Sequence, residues 1–430
     1  MKLVKLSLAT IVAAGALSSV VSAASLEEAI KNVDVSGYAR YRYDARNTNT
    51  SDSEFNGNTH RFTTDIDFKS AVGDNFFGVI GFRYDSSDVS GERAGADTQV
   101  GQALNVRQFY LGYTAGNTTI QAGRQVLGTF FTDDMVGTGI KFLNKDIIGL
   151  TLVGIAFDNL QADGDIGTGE LNIGPNGSTE KVYDRNLYGV ASIGSYDPVS
   201  FQAWYAALDS VAQLYALDVT LGANLGGADL SLQAQYAGSA MWAKNARTQG
   251  ETKQQVDLNN VNNNGVTDVF SKYEPGDVGR LEDGQFWAIK AGAEAFGFDA
   301  SVGYININTK KNKSTLISFE DQGSFITAGE DLLDYTLVQA DQSIYFVTAG
   351  YKLNDYLRVG ADYVSAKYDN DSSDRTRYGN NNSYNASEVV LRADYKYNKK
   401  LNFKAWFSNI DRDSGRDDVK HLRFEARYNF

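Results

Sequence analysis

The sequence predicts an all-β fold, a transmembrane antiparallel β-barrel of about 18 strands with short periplasmic turns and long extracellular loops. Three observations carry that prediction. Two-faced strands recur along the whole chain: the closing HLRFEARYNF sets Leu422, Phe424, Ala426, Tyr428 and Phe430 against Arg423, Glu425, Arg427 and Asn429. In a soluble sheet such an apolar face needs a second layer to cover it, and almost no residues remain to build one. The connections alternate between short links (71–75, 115–117, 224–228, 353–356, 398–400) and long polar ones (45–59, 86–105, 159–183, 239–283, 309–340, 369–384). Composition agrees: 25 Tyr, 23 Phe and 42 Gly favour strands and turns, and the three prolines, Pro175, Pro198 and Pro275, fall between strands, where no ladder bond is forfeited.

Taken in order, the chain opens with Lys2 and Lys5, an uncharged run over 6–17, and the small residues Val21-Ser22-Ala23. This pattern reads as a cleaved secretory signal, 1–23, ahead of a single barrel domain, 24–430. A membrane helix is the alternative, but Ala, Gly and Ser dilute the run. Beyond it, no apolar stretch approaches the ~18–20 residues that a membrane helix needs. The first strand, 33–43, places Val33, Val35, Gly37, Ala39, Tyr41 and Tyr43 on one face and Asp34, Ser36, Tyr38, Arg40 and Arg42 on the other. The next, 61–69, sets Phe62, Thr64, Ile66 and Phe68 against Arg61, Asp65, Asp67 and Lys69. Segments at 76–85, 229–235, 388–397 and 401–407 follow the same pattern. Weaker ones lie near Val106, Thr118, Gly137, Gly149, Asp184, Phe201, Leu214, Phe286, Phe298, Ile344 and Leu357. The clear strands run to about 8–12 residues, close to the ~9–11 that cross a bilayer at a tilt.

Cysteine is absent, so neither a disulfide framework nor a thiolate metal site is available. The formal charge is −13, and loss of Lys2 and Lys5 with the leader takes it to −15. That acidity argues against nucleic acid as a partner and towards cations, an acidic solvated surface being the plain alternative. About 18 strands enclose a lumen too wide for side chains to fill, and a charged inner face would keep it wet. The expected function is passive diffusion of ions and small hydrophilic solutes, with no catalysis and no required cofactor.

Restriction of such a tube needs an inserted loop. The candidate follows Gly123-Arg124-Gln125: the segment 126–136, VLGTFFTDDMV, carries Asp133 and Asp134 beside two phenylalanines. This arrangement resembles the general trimeric porins, in which a third extracellular loop folds into the pore. The resemblance implies Asp133 and Asp134 as the acidic side of a constriction and Arg40, Arg42, Arg61, Arg83 and Arg124 as its basic wall. Strict alternation puts Arg124 outside with Ile120 and Ala122, and a bulge at Gly123 would turn it inward. Glu320, Asp321, Glu330 and Asp331 form two further acidic pairs near the seventh loop. If they approach Asp133 and Asp134, a hard cation such as Ca²⁺ could bridge them, solvated acidic loops being the alternative. Asp163 and Asp165 with Glu170 lack the spacing of a helix-loop-helix calcium site.

A more extensive resemblance is to the major outer membrane porins of Campylobacter. It rests on MKLVKLSL, SLEEAIKNVDVSGYARYRYD, VGTGIKF, STLISFEDQG, the AGE at 328–330, and LRADYKYNKKLNFKAWFSNI. It implies an 18-stranded, homotrimeric, cation-preferring porin in the outer membrane of a Gram-negative bacterium. Membrane lipid, lipopolysaccharide and the barrel assembly machinery are then expected partners, and the terminal Phe430 resembles the assembly signal. Three rivals are weighed against this reading. A barrel enzyme would need His60 or His421, and neither has a serine or acid at motif spacing. A surface adhesin would bind host-cell ligands through the long loops, of which the asparagine-rich 254–268 is the most extreme. A soluble all-β binding protein is disfavoured by the Phe, Leu, Val and Tyr on the outward faces.

Overall fold

The computed structural model describes residues 33–49, 54–91, 104–161, 170–171, 180–181, 185–242, 282–309, 315–333, 335, 338, 340–369, 383–413 and 418–430. The leader, the acidic stretch 162–169 and the asparagine-rich 254–268 lie outside the described residues.

The strands are β1 (Asp34–Asn49), β2 (Glu54–Gly73), β3 (Phe76–Gly91), β4 (Asn105–Ala115), β5 (Thr118–Val126), β6 (Val136–Asn144) and β7 (Leu150–Leu160). The two-residue pieces β8 (Glu170–Leu171) and β9 (Glu180–Lys181) pair only with each other. There follow β10 (Leu187–Tyr196), β11 (Val199–Leu208), β12 (Ala212–Leu225), β13 (Ala228–Met241), β14 (Gly284–Ala295) and β15 (Phe298–Thr309). The last five are β16 (Asp341–Lys352), β17 (Leu357–Asp369), β18 (Ser383–Lys396), β19 (Leu401–Arg412) and β20 (Asp418–Asn429). All but β8 and β9 join one 18-stranded antiparallel sheet.

Each strand pairs with its sequence neighbour, β7 pairs with β10, and β20 returns to β1 from Tyr38↔Asn429 to Asn49↔Asp418. Closure removes every edge, so no row of unpaired backbone groups meets the hydrocarbon. The seam is locked where Gly37 N donates to Phe430 O (3.3 Å) and Phe430 N to Gly37 O (3.1 Å). On β20, Leu422, Phe424 and Tyr428 are exposed on the outside, while Arg423 and Glu425 make lumenal ion pairs.

Two expectations need correction. Strands β1 and β2 are longer than the alternating core of the pattern: they pair out to Asn49↔Glu54, so most of the expected loop 45–59 is ladder. Extended polar sequence satisfies its backbone by pairing as well as by hydration, and polarity alone does not mark the end of a strand. Nor is the inner face charged throughout. Along β10–β14, Leu187, Ile193, Trp204, Leu208, Leu214 and Phe286 are buried inside while Tyr188, Val190, Tyr205, Leu217 and Trp287 are exposed outside. Both faces of these strands are apolar, so something other than water fills that half of the lumen.

Candidate functional site

Two segments occupy the apolar half. The first is 127–135, between β5 and β6. Its neck is closed by Leu127 N donating to Met135 O (2.9 Å), and Lys141 Nζ on β6 donates to Val126 O (2.7 Å). Leu127, Phe130 and Phe131 are fully buried. The second is 315–340, between β15 and β16, tied at its base by the Thr315↔Val338 bridge. Gln235 on β13 holds its middle, accepting from Ile326 N (2.7 Å) and donating to Ser324 O (2.9 Å).

The segments bind each other through backbone and rings. Phe319 N (2.9 Å) and Ser318 Oγ (2.6 Å) donate to Phe131 O, and Ser324 N donates to Phe130 O (2.8 Å). Phe130, Phe131, Phe286, Phe319, Phe325 and Tyr335 form an aromatic cluster, largely edge to face. Gly323 sits at φ +51°, and a Cβ there would lie 2.4 Å from Phe130 O, so only glycine permits this approach.

The opposite half, β1–β4 with β18–β20, is charged. Asp134 Oδ2 pairs with Arg83 (2.5 Å) and Arg107 (2.9 Å), and both arginines also hold Asp65 (2.8 and 3.0 Å). Burial alone would raise the Asp134 carboxyl. The hydrogen bond from Arg83 and the charges of Arg107 and Arg83 outweigh it, so the group sits below the ordinary carboxylate range. Asp133 is exposed and makes no ion pair among the described residues, with Arg107, Arg83 and Arg40 in electrostatic reach. Arg42 pairs with Glu425 (3.2 Å) and Arg40 lies 3.9 Å from the same carboxylate; Arg61 pairs with Asp85 (2.7 Å).

A second charged cluster surrounds Glu330 and Asp331. His421 on β20 places Nδ1 2.8 Å from Asp331 Oδ2 and Nε2 2.9 Å from Asp44 Oδ1. Arg423 Nε donates to Asp44 (2.5 Å), and Arg46 lies 3.7 Å from Asp331. Arg392 on β18 pairs with Glu330 (2.8 Å) and with Asp362. Burial first, then the nearby Glu388 and Asp331 charges, raise the Glu330 carboxyl against the pull of Arg392 and Arg423. At Asp331 burial raises, but the His421 hydrogen bond and the charges of His421, Arg46 and Arg423 win and lower it.

The expected residues therefore fall into different places. Asp133, Asp134, Arg40, Arg42 and Arg83 come together, and Arg61 sits with Asp85 on the same wall. Arg124 is a correction. It pairs in register with Phe109, which is 65% exposed on the outer face, and no register shift occurs at Gly123. Paired residues share a face, so Arg124 leaves the barrel on the lipid side. The irregularity lies one strand earlier: the β3–β4 register slips between Gly81 and Phe82, which puts Arg107 in a bulge and turns it inward. Strict alternation had placed Arg107 outside with Phe109, which is why the pattern missed it. Arg46 was hidden in an expected loop, while Glu388 and Arg392 lie on the expected strand 388–397 with nothing in the sequence that ties them to the segment 315–340.

Of the acids considered for a shared cation, Glu320 reaches Asp133 and Asp134, whereas Glu330 and Asp331 turn to other partners. Glu320 Oε2 accepts three backbone N–H groups, and Glu330 and Asp331 engage Arg392 and His421. Among the described residues no group of three or more His, Cys, Asp or Glu could hold a metal ion. His60 is hydrogen-bonded to Tyr41 OH (2.8 Å) and, as the register partner of Tyr43, lies on the outer face, across the wall from His421. Ser408, the register partner of His421, donates instead to Glu388 (2.6 Å), and among the described residues neither histidine is hydrogen-bonded to a serine.

Among solved structures, the chain is similar to Acinetobacter baumannii OccAB4 (11% identity, TM-score 0.66, covering 93% of this chain and 98% of that one). It is also similar to Pseudomonas aeruginosa OpdQ (12%, 0.63, 94% and 99%) and to Pseudomonas aeruginosa OccD3 (13%, 0.62, 96% and 98%). At such identities the likeness establishes the fold. No curated protein matches the chain. A closed 18-stranded barrel with an apolar outer face and a charged inner passage belongs to the class of outer-membrane channels. The model of the Campylobacter major outer membrane protein family matches residues 1–273 and 264–430, and the chain belongs to that family of outer-membrane porins.

Proposed function

We propose that this porin is a cation-preferring diffusion channel for ions and small hydrophilic solutes, narrowed where the segments 127–135 and 315–340 face the charged wall. The observation that carries the reading is the charge balance across that gap. Arg83 and Arg107 are matched two for two by Asp65 and Asp134, which leaves Asp133 exposed and unneutralised on the loop side. On the wall, Arg40 and Arg42 share one Glu425. The surplus charges thus lie on opposite sides and orient any polar solute that passes. A net-acidic chain and three acidic pairs on the inserted segments lower the energy of a cation there, an effect that salt screens. A homotrimer in the outer membrane is part of this reading, and crosslinking in native membranes tests it separately.

The deciding experiment is a planar-bilayer reversal potential in a KCl gradient. The parent channel is expected to favour K⁺, and Asp133→Asn with Asp134→Asn to reduce that preference. An anion-preferring parent, or an unchanged double variant, refutes the assignment.

A further inference from the structure

Two buried glutamates repeat one device. Glu320 directs a single oxygen, Oε2, at three consecutive amides, Asp133 N (3.0 Å), Asp134 N (3.1 Å) and Met135 N (2.7 Å). Glu388, on β18, accepts from Glu330 N (3.0 Å) and Asp331 N (3.0 Å) through Oε1 and from Leu332 N (3.2 Å) through Oε2. Both glutamates are buried, at 2% and 0% exposure. Three successive N–H groups converging on one carboxylate fix the backbone of a short segment, and charge-assisted bonds of this kind are the stronger ones. In each case the captured segment is the one that carries an acidic pair.

The fit around Glu388 is tight on independent grounds. Gly329 sits at φ +77°, and a Cβ there would fall 2.1 Å from Glu388 Oε2, so the backbone approaches the carboxylate as only glycine allows. Ser408 Oγ holds the same carboxylate from β19. The sequence places Glu320 and Glu388 in unrelated contexts, one on an inserted segment and one on the wall, yet each meets the same three-amide geometry.

We infer that Glu320 and Glu388 are positioning residues of the channel: Glu320 sets the place of Asp133 and Asp134, Glu388 sets that of Glu330 and Asp331, and each acts on its own pair. The inference rests on the diffusion-channel reading but is tested without it. The chain has no cysteine, so a single thiol reporter can be introduced at Asp133→Cys or Glu330→Cys and its reaction with a charged methanethiosulfonate measured on the full mature protein in liposomes.

Glu320→Ala is expected to change the reaction rate at position 133 by about tenfold and leave position 330 unchanged, with Glu388→Ala giving the reverse. Glu→Gln at either site keeps one acceptor oxygen and should give an intermediate rate. Because Glu388→Ala strands buried donors and could block barrel assembly, Glu388→Gln is the variant that decides that arm, read on the heat-modifiable, folded fraction. If each variant alters both reporters equally, or neither, the two-site positioning role is wrong. A parent that carries no current while the reporters still dissociate as expected would sink the channel reading and leave this inference standing.

Discussion

The two halves of the barrel interior are built from one ladder and follow opposite rules. Along β10–β17 the inward residues, such as Leu187, Leu214, Ile305, Phe346 and Val364, are buried against the inserted segments and form an apolar core. Along β1–β4 and β20 the inward residues are Arg40, Arg42, Asp44, Asp65, Arg83 and Arg423, and carboxylates answer the arginines. A lumenal position therefore has no fixed chemistry. Where protein fills the tube, the inner face behaves as the core of a soluble domain; where water fills it, charge is retained and paired. On the proposed diffusion-channel reading, the passage is off-centre, bounded by wall on one side and by loop on the other.

The strongest way to break this contrast is to remove the packing. Phe131 is fully buried, meets Phe130 and Phe319 edge to face and Phe325 at a tilt, and its carbonyl anchors the second segment. Phe131→Ala is expected to weaken the docking of the two segments by ~3–5 kcal/mol, the usual range for emptying a buried aromatic site. Limited proteolysis should then cut within 127–135 in a barrel that still shows its heat-modifiable mobility, and single-channel conductance should rise. Unchanged conductance would mean that the apolar half does not narrow the passage.

A smaller effect distinguishes the two acids of the second pair by their titration. The Asp331 carboxyl is depressed, so its contribution is present above the ordinary carboxylate pKa and is lost as the pH falls through its lower folded value. Glu330 is raised, and the sign reverses: its charge is a penalty at neutral pH, relieved as the pH falls through its elevated value. Acidification should therefore reduce cation preference first, as Glu330 is neutralised. Only in stronger acid should the Asp331–His421 link give way and the conductance change. Reversal potential and conductance recorded against pH should separate the two steps, and Glu330→Gln should abolish the upper one. A single step shared by both readouts contradicts this order.

Much of the charged half was legible in the sequence because alternation is a local rule. Arg40, Arg42, Arg83, Arg423 and Glu425 were readable as lumenal from period two alone, and so was the closing strand with Phe430. The apolar half was not, since strands such as β10 bury Leu187 and Ile193 inside and show Tyr188 and Val190 outside, a pattern that periodicity cannot assign to a face. What determines the inner chemistry there is a partner distant in sequence, as with Phe130 against Phe325, 195 residues away, or Gln235 against Ile326, 91 residues away. The acidic pairs were visible, but their holders were not: Glu388 shares its strand face with Arg392 and Asp394 as any lumenal charge would, and nothing near it in sequence announces the amides it binds.

The smallest expected effect sharpens the comparison most cleanly, because it pits two arginines of adjacent strands against each other. Arg107 belongs to the outer face by strict alternation and reaches the lumen only through the bulge opposite Gly81, where it bonds Asp65 and Asp134 (3.0 and 2.9 Å). Arg124 is preceded by the glycine at which a bulge was expected, yet stays in register with Phe109 on the lipid side. Arg107→Ala should free one bond each from Asp65 and Asp134, strengthen cation preference and loosen the loop. Arg124→Ala should leave both reversal potential and conductance at the parent values. Equal responses from the two variants would show that face, and not mere presence on β4 or β5, has been misassigned, and the passage would have to be redrawn on the β5 side of the barrel.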